Sequence, residues 1–330
     1  MVDPSLFPNQ PPFFLFLMPS VLSYPGLKCV LEYLEAIKRI HITSRTLSLQ
    51  QIDKIIPLRL KSLSVFEGCI FFPNSSITIE ESTVEYNCYK RKKALTVQLE
   101  QIESEFEKLC NYYLGGRKVY VHNLRLVLLV EELTLLGNVR FRINELDNTY
   151  CHFEASLPFI DPISFPLNEI KTSSENIDDL HHPSFVSAKN LIFDVEYDED
   201  DQSVPENVFK IQNKKVLFDH FVMETSSVKK FIKYWKDVAK EIGTTFEFIN
   251  KRVGYGSNYY ILSALRKEFG KFQKELVGVD KRMIPSFASY SIPLGYTSKI
   301  LVYGTITSLS AEPCEKRLVM KVVPATEVHS

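Results

Sequence analysis

Residues 213–248, NKKVLFDHFVMETSSVKKFIKYWKDVAKEIGTTFEF, decide how this chain is read. Val228, Phe231, Ile232, Trp235, Val238 and Ile242 recur at helical spacing, so a helix here presents one apolar face. Thr225, Ser226 or Ser227 supplies a hydroxyl to cap its start, and Gly243 stands where such a helix ends. Residues 216–218 before it and 244–248 after it have the branched and aromatic composition of strands. The unit is strand–helix–strand. Its stripe is spent on packing, which predicts a buried indole for Trp235, the single tryptophan, and leaves no catalytic constellation in the stretch.

Working outward, 330 residues suffice for one large domain or two ordinary ones, and 45% hydrophobic with 24% charged residues is the composition of a folded chain. A formal net charge of −1 argues against a broad nucleic-acid footprint, which needs a basic excess. Cys29, Cys69, Cys88, Cys110, Cys151 and Cys314 form no CxxC pair, and they read as reduced thiols of an intracellular protein, cytoplasmic or nuclear. The apolar run 13–18 has no basic segment before it and is hemmed by Pro8, Pro11, Pro12 and Pro19. It reads as an extended segment and not as a leader. No apolar run approaches the ~20 residues that cross a bilayer, so no membrane partner is expected. The sequon at Asn74 bears only on a secreted chain.

Toward the N-terminus, a helix is expected over 23–40, with Ser23 as cap, Pro25 in the first turn, and Leu27, Val30, Leu31, Leu34 and Ile37 on one face. Ser48 with Gln51 forms a capping box for a second, short helix carrying Ile52, Ile55 and Ile56, which Pro57 ends. Strand patterns follow at 58–60, and at 77–79 and 84–86 around a hairpin turn. A long helix is expected over 95–113, with Leu95, Leu99, Ile102, Phe106, Leu109 and Tyr113 as its stripe, Glu100, Glu103, Glu105 and Glu107 on its wet side, and Gly115-Gly116 as its stop. Residues 119–130 read as a buried strand, and Val139, Phe141 and Ile143 alternate with Arg140 and Arg142, so that strand has one wet face. Further strands are expected at 191–193, 300–306 and 318–323. A helix is expected near 258–272, with Leu262, Leu265, Phe269 and Phe272 inward. Asn123-Leu124-Arg125-Leu126, Asn190-Leu191-Ile192-Phe193 and Val216-Leu217-Phe218 hint at leucine-rich-type repeats without a fixed period.

Candidate chemistry is sparse. His181-His182 with Asp178 and Asp179 has no third partner at ligand spacing and reads as a polar loop. Asp198-Glu199-Asp200-Asp201 lacks the alternating ligands and glycine of a calcium loop. Gly254-Tyr255-Gly256 is a lone GxG and reads as a turn. The basic run Lys90 to Lys93 reads as a soluble loop. No catalytic, cofactor-binding or metal-ligating residue is assigned and no cofactor is expected. An enzyme with a dispersed active site stays as an alternative, since triads are spatial. A deep pocket with convergent His, Cys or carboxylate groups would be its mark.

Several segments together carry a resemblance. Residues 23–34, SYPGLKCVLEYL, are followed by Pro57-Leu58-Arg59-Leu60, by His182-Pro183 with Ala188-Lys189-Asn190-Leu191, by Phe231-Ile232-Lys233-Tyr234-Trp235 with Ile242-Gly243-Thr244, and by residues 298–304, SKILVYG. Their order resembles a nematode-expanded family of unknown function, and residues 213–248 resemble the F-box-associated domains of F-box proteins. Residues 23–54 resemble a degenerate F-box without its Leu-Pro opening. The resemblance implies an α+β fold: a loose or extended segment 1–20, an F-box-like helical segment 21–57, and an F-box-associated-like domain 58–330 of mixed sheet and helix with leucine-rich-type strand–helix units. It implies a non-catalytic protein-recognition module with protein partners, a Skp1-type adaptor among them, acting as the substrate-binding subunit of a ubiquitin ligase. A scaffold with no ligase link is the alternative.

Overall fold

The computed structural model describes residues 24–80, 83–88, 91–96, 102–194, 206–219, 223–249, 257–276, 278–306 and 316–325. Expectations placed on residues 13–18, Ser23, Lys90, Leu99, Glu100, 198–201, 254–256 and Cys314 lie outside them. Contacts divide the chain into two compact units, Met1–Pro57 and Leu58–Ser330.

The first unit carries α1 (Tyr24–Tyr33), α2 (Ala36–Thr43) and α3 (Leu47–Ile55). The single helix expected over 23–40 is therefore two. Glu35 leaves helical geometry (φ −56°, ψ 136°), and its carboxylate accepts from the Ile37 and Lys38 amides, opening α2. At α3 the capping residue is Thr46 and not Ser48, because the Thr46 hydroxyl accepts from the Leu49 amide at 3.3 Å. Leu31, Ile37, Ile40 and Ile56 are buried, whereas Val30 and Ile55, expected inward, are exposed.

The second unit begins with β1 (Leu58–Phe66), β2 (Cys69–Phe72), β3 (Ser75–Glu80), β4 (Thr83–Cys88) and β5 (Arg91–Thr96). Then come α4 (Ile102–Tyr113), β6 (Val119–Val127), α5 (Val130–Leu133), β7 (Phe141–Asp147), α6 (Phe153–Ser156) and β8 (Glu169–Ser173). Next are α7 (Pro183–Ser187), β9 (Asn190–Asp194), α8 (Glu206–Phe209), β10 (Lys215–Asp219), α9 (Thr225–Asp237) and β11 (Thr245–Ile249). Last come α10 (Ser257–Phe269), β12 (Tyr290–Pro293), β13 (Ser298–Ile306) and β14 (Lys316–Pro324). The α+β class holds. The long helix expected from Leu95 starts only at Ile102, because residues 91–96 pair with β4 as a strand, and the basic run Arg91–Lys93 lies in that strand.

All fourteen strands of the described residues join one sheet, ordered β12-β13-β14-β11-β10-β9-β8-β7-β6-β1-β2-β3-β4-β5. From β1 through β6 to β11 every neighbouring pair is parallel, and β6 to β11 follow each other in space as in sequence. Antiparallel strands flank this centre on both sides.

One residue pattern explains the stacking: two buried positions separated by two residues, then a third after one more. It reads Leu60/Leu63/Val65, Val121/Leu124/Leu126, Ile143/Leu146/Asn148, Leu167/Ile170/Thr172, Ala188/Leu191/Phe193 and Asn213/Val216/Phe218, and each of these side chains is buried. Register aligns the middle members: Leu63 with Leu124, Leu146 with Ile170, Leu191 and Val216, and Val216 with Phe246. From Leu124 to Val216 the middle members recur every 21–25 residues, the spacing of leucine-rich-type repeats, whereas β2–β5 and α4 intervene between Leu63 and Leu124. The period is hard to see in the sequence because Asn, Thr and Ala occupy several core positions.

Two buried asparagines, Asn213 of the pattern and Asn176 outside it, fasten the loops between strands. Asn213 Nδ2 donates to the carbonyls of Phe185 (2.7 Å) and Ala188 (3.3 Å). Asn176 takes the Phe153 amide on its oxygen and donates to the carbonyls of Asn148 and Cys151. Buried loop carbonyls need such donors, and an amide side chain supplies two.

The opening stretch forms the unit expected of it, β10–α9–β11. Trp235 has no solvent exposure and meets Phe246 edge-on at 4.9 Å, and Phe231 packs among Phe209, Phe218, Phe246 and Phe248. Three details differ. Glu224 and not a hydroxyl residue occupies the capping position. Val238 and Ile242 are about half exposed, because α9 stops at Asp237. Gly243, at φ +90°, serves the turn into β11, while Ala239 takes the left-handed conformation that leaves α9.

Candidate functional site

The repeat directs its buried positions to the helical side of the sheet, so the residues between them face away. In β1, β6 and β7 these outward residues fall into rows fixed by register. Arg59 pairs with Tyr120 and Tyr120 with Arg142, and the two guanidiniums lie 4.8 and 5.6 Å from the Tyr120 ring.

The next row holds a polar network. His122 Nε2 is 3.2 Å from Glu145 Oε1, Asn123 donates to Glu145 Oε2 at 3.3 Å, and Asn144 Nδ2 meets His122 Nδ1 at 3.0 Å. Glu169 follows Glu145 in register. Burial, with the Glu145 charge beside it, raises the Glu169 pKa.

Toward the C-terminal ends of the strands one row runs Ser64, Arg125, Asp147, Lys171, Ile192, Leu217, Glu247, Val319 and Tyr303. Its charges are paired. Arg125 Nε is 3.5 Å from Asp147 Oδ2 and its guanidinium lies over Phe66 and Tyr150. Lys171 Nζ is 3.0 Å from Asp194 Oδ2, and Arg317 Nη1 is 2.6 Å from Glu247 Oε2. Over β13 and β14 this side is covered: Leu276, Val279 and Met283 pack on Leu301, Tyr303, Val319 and Val323. Burial there, with Asp280 and Glu247 nearby, pushes the Tyr303 phenol up. The outward side of β1 and β6–β11 is thus the candidate site.

The residues singled out from sequence do other work. His182 Nδ1 accepts from the Ser184 amide and caps α7, its ring edge-on to Phe153, and His181 is exposed. Asp178 accepts from Asn207 at 3.5 Å. Among the described residues no group of three or more His, Cys, Asp or Glu is arranged to hold a metal ion. Cys29, Cys69, Cys110 and Cys151 are free thiols. A depression of about 310 Å³ between α9 and α10 is lined by Lys229, Lys230, Lys233, Lys236, Asp237 and Glu268 around Ile232 and Phe269, without His or Cys. No helix among the described residues is long and apolar enough to cross a membrane.

Arg142 was expected on a wet face, but its row with Arg59 and Tyr120 escaped the sequence reading because the three are far apart in the chain. A signal exists: each is the polar centre of an apolar triplet, Leu58-Arg59-Leu60, Val119-Tyr120-Val121 and Phe141-Arg142-Ile143. Aligning the triplets puts the three in one row.

Fold and face together define an α+β protein with one large mixed sheet whose centre is parallel. Residues 101–252, from the start of α4 to the end of β11, match the model of a family described as a domain of unknown function (DUF3557). No curated protein and no solved structure matches the chain.

Proposed function

We propose that this protein is a protein-recognition module, that its binding surface is the outward side of β1 and β6–β11, and that it serves as the substrate-binding subunit of a ubiquitin ligase. One observation carries the recognition reading. The parallel repeat brings side chains from distant points of the sequence onto one sheet face, where Arg59, Lys61, His122, Arg142 and Asn144 are exposed. A rigid scaffold that presents such a surface suits macromolecular binding.

The ligase part rests on the F-box resemblance of residues 23–54. It is supported by the apolar side chains that the first unit leaves exposed: Val30, Tyr33, Ile42, Leu47 and Ile55. A pull-down of recombinant Skp1-type adaptor by the full chain tests it. Binding that is lost with Tyr33→Ala and Leu47→Ala is expected; no binding by the wild type removes the ligase part and leaves a scaffold.

The recognition face has its own test. Proteins co-purified with the tagged chain should be lost from a His122→Ala/Asn144→Ala variant, both side chains being exposed on the face, whose melting temperature is preserved. A partner set indifferent to that change would refute the face.

A further inference from the structure

We infer that the N-terminal ends of β1, β6 and β7 dock an acidic segment of a polypeptide partner, an inference that rests on the recognition reading and names the chemistry of its ligand. Arg59, Lys61, Lys118, Arg140 and Arg142 are all exposed there. They alternate with the buried Leu58, Leu60, Val119, Phe141 and Val139, which puts them on the outward side. Among the described residues none of the five has a carboxylate partner, although Arg125, Lys171 and Arg317 on the same side are each paired. A chain of net charge −1 has no general excess of cations, so this is a local concentration.

The patch is also ordered. Arg59 and Arg142 are held on the two sides of Tyr120 by register and by their contacts with its ring. A guanidinium already positioned loses less freedom when it takes a carboxylate, and its fork matches that group. Arg59 and Arg142 stand two strand spacings apart, roughly 9–10 Å at about 4.8 Å per spacing. Carboxylates three residues apart in a polyproline-II segment lie on the same side and span the same distance at about 3.1 Å per residue. Glu145, the nearest acid in the following row, is occupied by His122 and Asn123. Asp147, Asp194 and Asp219 lie at the far ends of the parallel strands. They and the cations they pair with leave the basic patch short, and a chain of net charge −1 offers no wider basic track for a phosphate backbone, which favours a short acidic peptide over nucleic acid.

The test is fluorescence anisotropy on the full chain, with a labelled short peptide bearing glutamate at every third position, its glutamine counterpart, and a single-stranded oligonucleotide of equal charge. The glutamate peptide should bind, more weakly as salt rises, and the glutamine peptide should not. Arg59→Gln with Arg142→Gln should weaken binding by about tenfold or more, while Lys230→Gln with Lys233→Gln, exposed on α9, should leave it unchanged. Unaltered Trp235 emission confirms that both variants fold. An unbound glutamate peptide, indifference to the arginine changes, or tighter binding of the oligonucleotide overturns the inference. The recognition face itself falls only if His122→Ala/Asn144→Ala leaves the captured partners unaltered.

Discussion

Arg39 and Asp53 join α2 to α3 through an ion pair, Nε to Oδ1 at 2.6 Å, with 3% and 2% of their side chains exposed. The guanidinium also donates from Nη2 to the carbonyls of Ile56 and Pro57, which ties the end of the first unit to its middle helix. Such a pair is costly to break because the remaining charge stays buried. Asp53→Ala should destabilise by about 3–5 kcal/mol, whereas replacing both partners with Arg39→Met/Asp53→Leu should recover much of that loss. Urea melts followed by circular dichroism check both values.

Trp235 fills the centre of the helix–sheet interface, so Trp235→Ala should cost about 3–5 kcal/mol. Val238→Ala, 47% exposed beyond the end of α9, should stay within about 0.5 kcal/mol. As the only tryptophan, Trp235 also reports the second unit directly. Its emission should be blue-shifted in the native protein and move to the red in one transition with denaturant.

Asn213 holds a carbonyl of α7, that of Phe185, and that of Ala188 in the loop before β9. Asn213→Ala should cost about 1–3 kcal/mol by taking a donor from each, although the Phe185 carbonyl keeps the Ala188 amide. Asn213→Asp should cost more, since a carboxylate donates nothing to a carbonyl. Thermal melts of the two variants test the order.

Burial alone would lower the Lys171 ammonium's pKa, but the hydrogen bond to Asp194 and the charges of Asp194, Asp147 and Asp219 outweigh it, and the pKa is raised. A cation whose folded pKa lies above its unfolded value of about 10.4 stabilises fully below that pH. The contribution is lost as pH rises through the folded value. The stability gap between wild type and Lys171→Met should therefore be constant at neutral pH and narrow as pH climbs beyond about 10. Denaturant titrations across that range show whether it does.

Burial, reinforced by Glu107, pushes the Cys110 thiol up to about 12, and burial pushes Cys151 up to about 11, so both stay protonated at neutral pH. Cys29 is exposed. A thiol reagent applied to the native protein, followed by peptide mass spectrometry, should modify Cys29 and spare Cys110 and Cys151 until denaturant is added.

Residues that pack locally were legible in the sequence. The stripe of α9, the alternation of β7 around Arg140 and Arg142, and the hairpin of β3 and β4 follow from periods of 3.6 and 2 that neighbouring residues impose on each other. Boundaries set by side-chain caps or by pairing with another strand were not. The carboxylate of Glu35 splits one expected helix in two, and pairing with β4 draws residues 91–96 out of another. The repeat was half visible, since Leu124, Leu191 and Val216 stood out while Asn148 and Thr172, at the position that Leu126, Phe193 and Phe218 hold in theirs, hid it at the end of β7 and in β8.

By itself the sequence determined an α+β chain with Trp235 in its core, because burial of an apolar stripe is written in the spacing of adjacent residues. Only the tertiary structure decided which strands are neighbours. The row Arg59, Tyr120, Arg142 exists because parallel pairing sets β1, β6 and β7 side by side, and that register depends on buried contacts between residues distant in the chain.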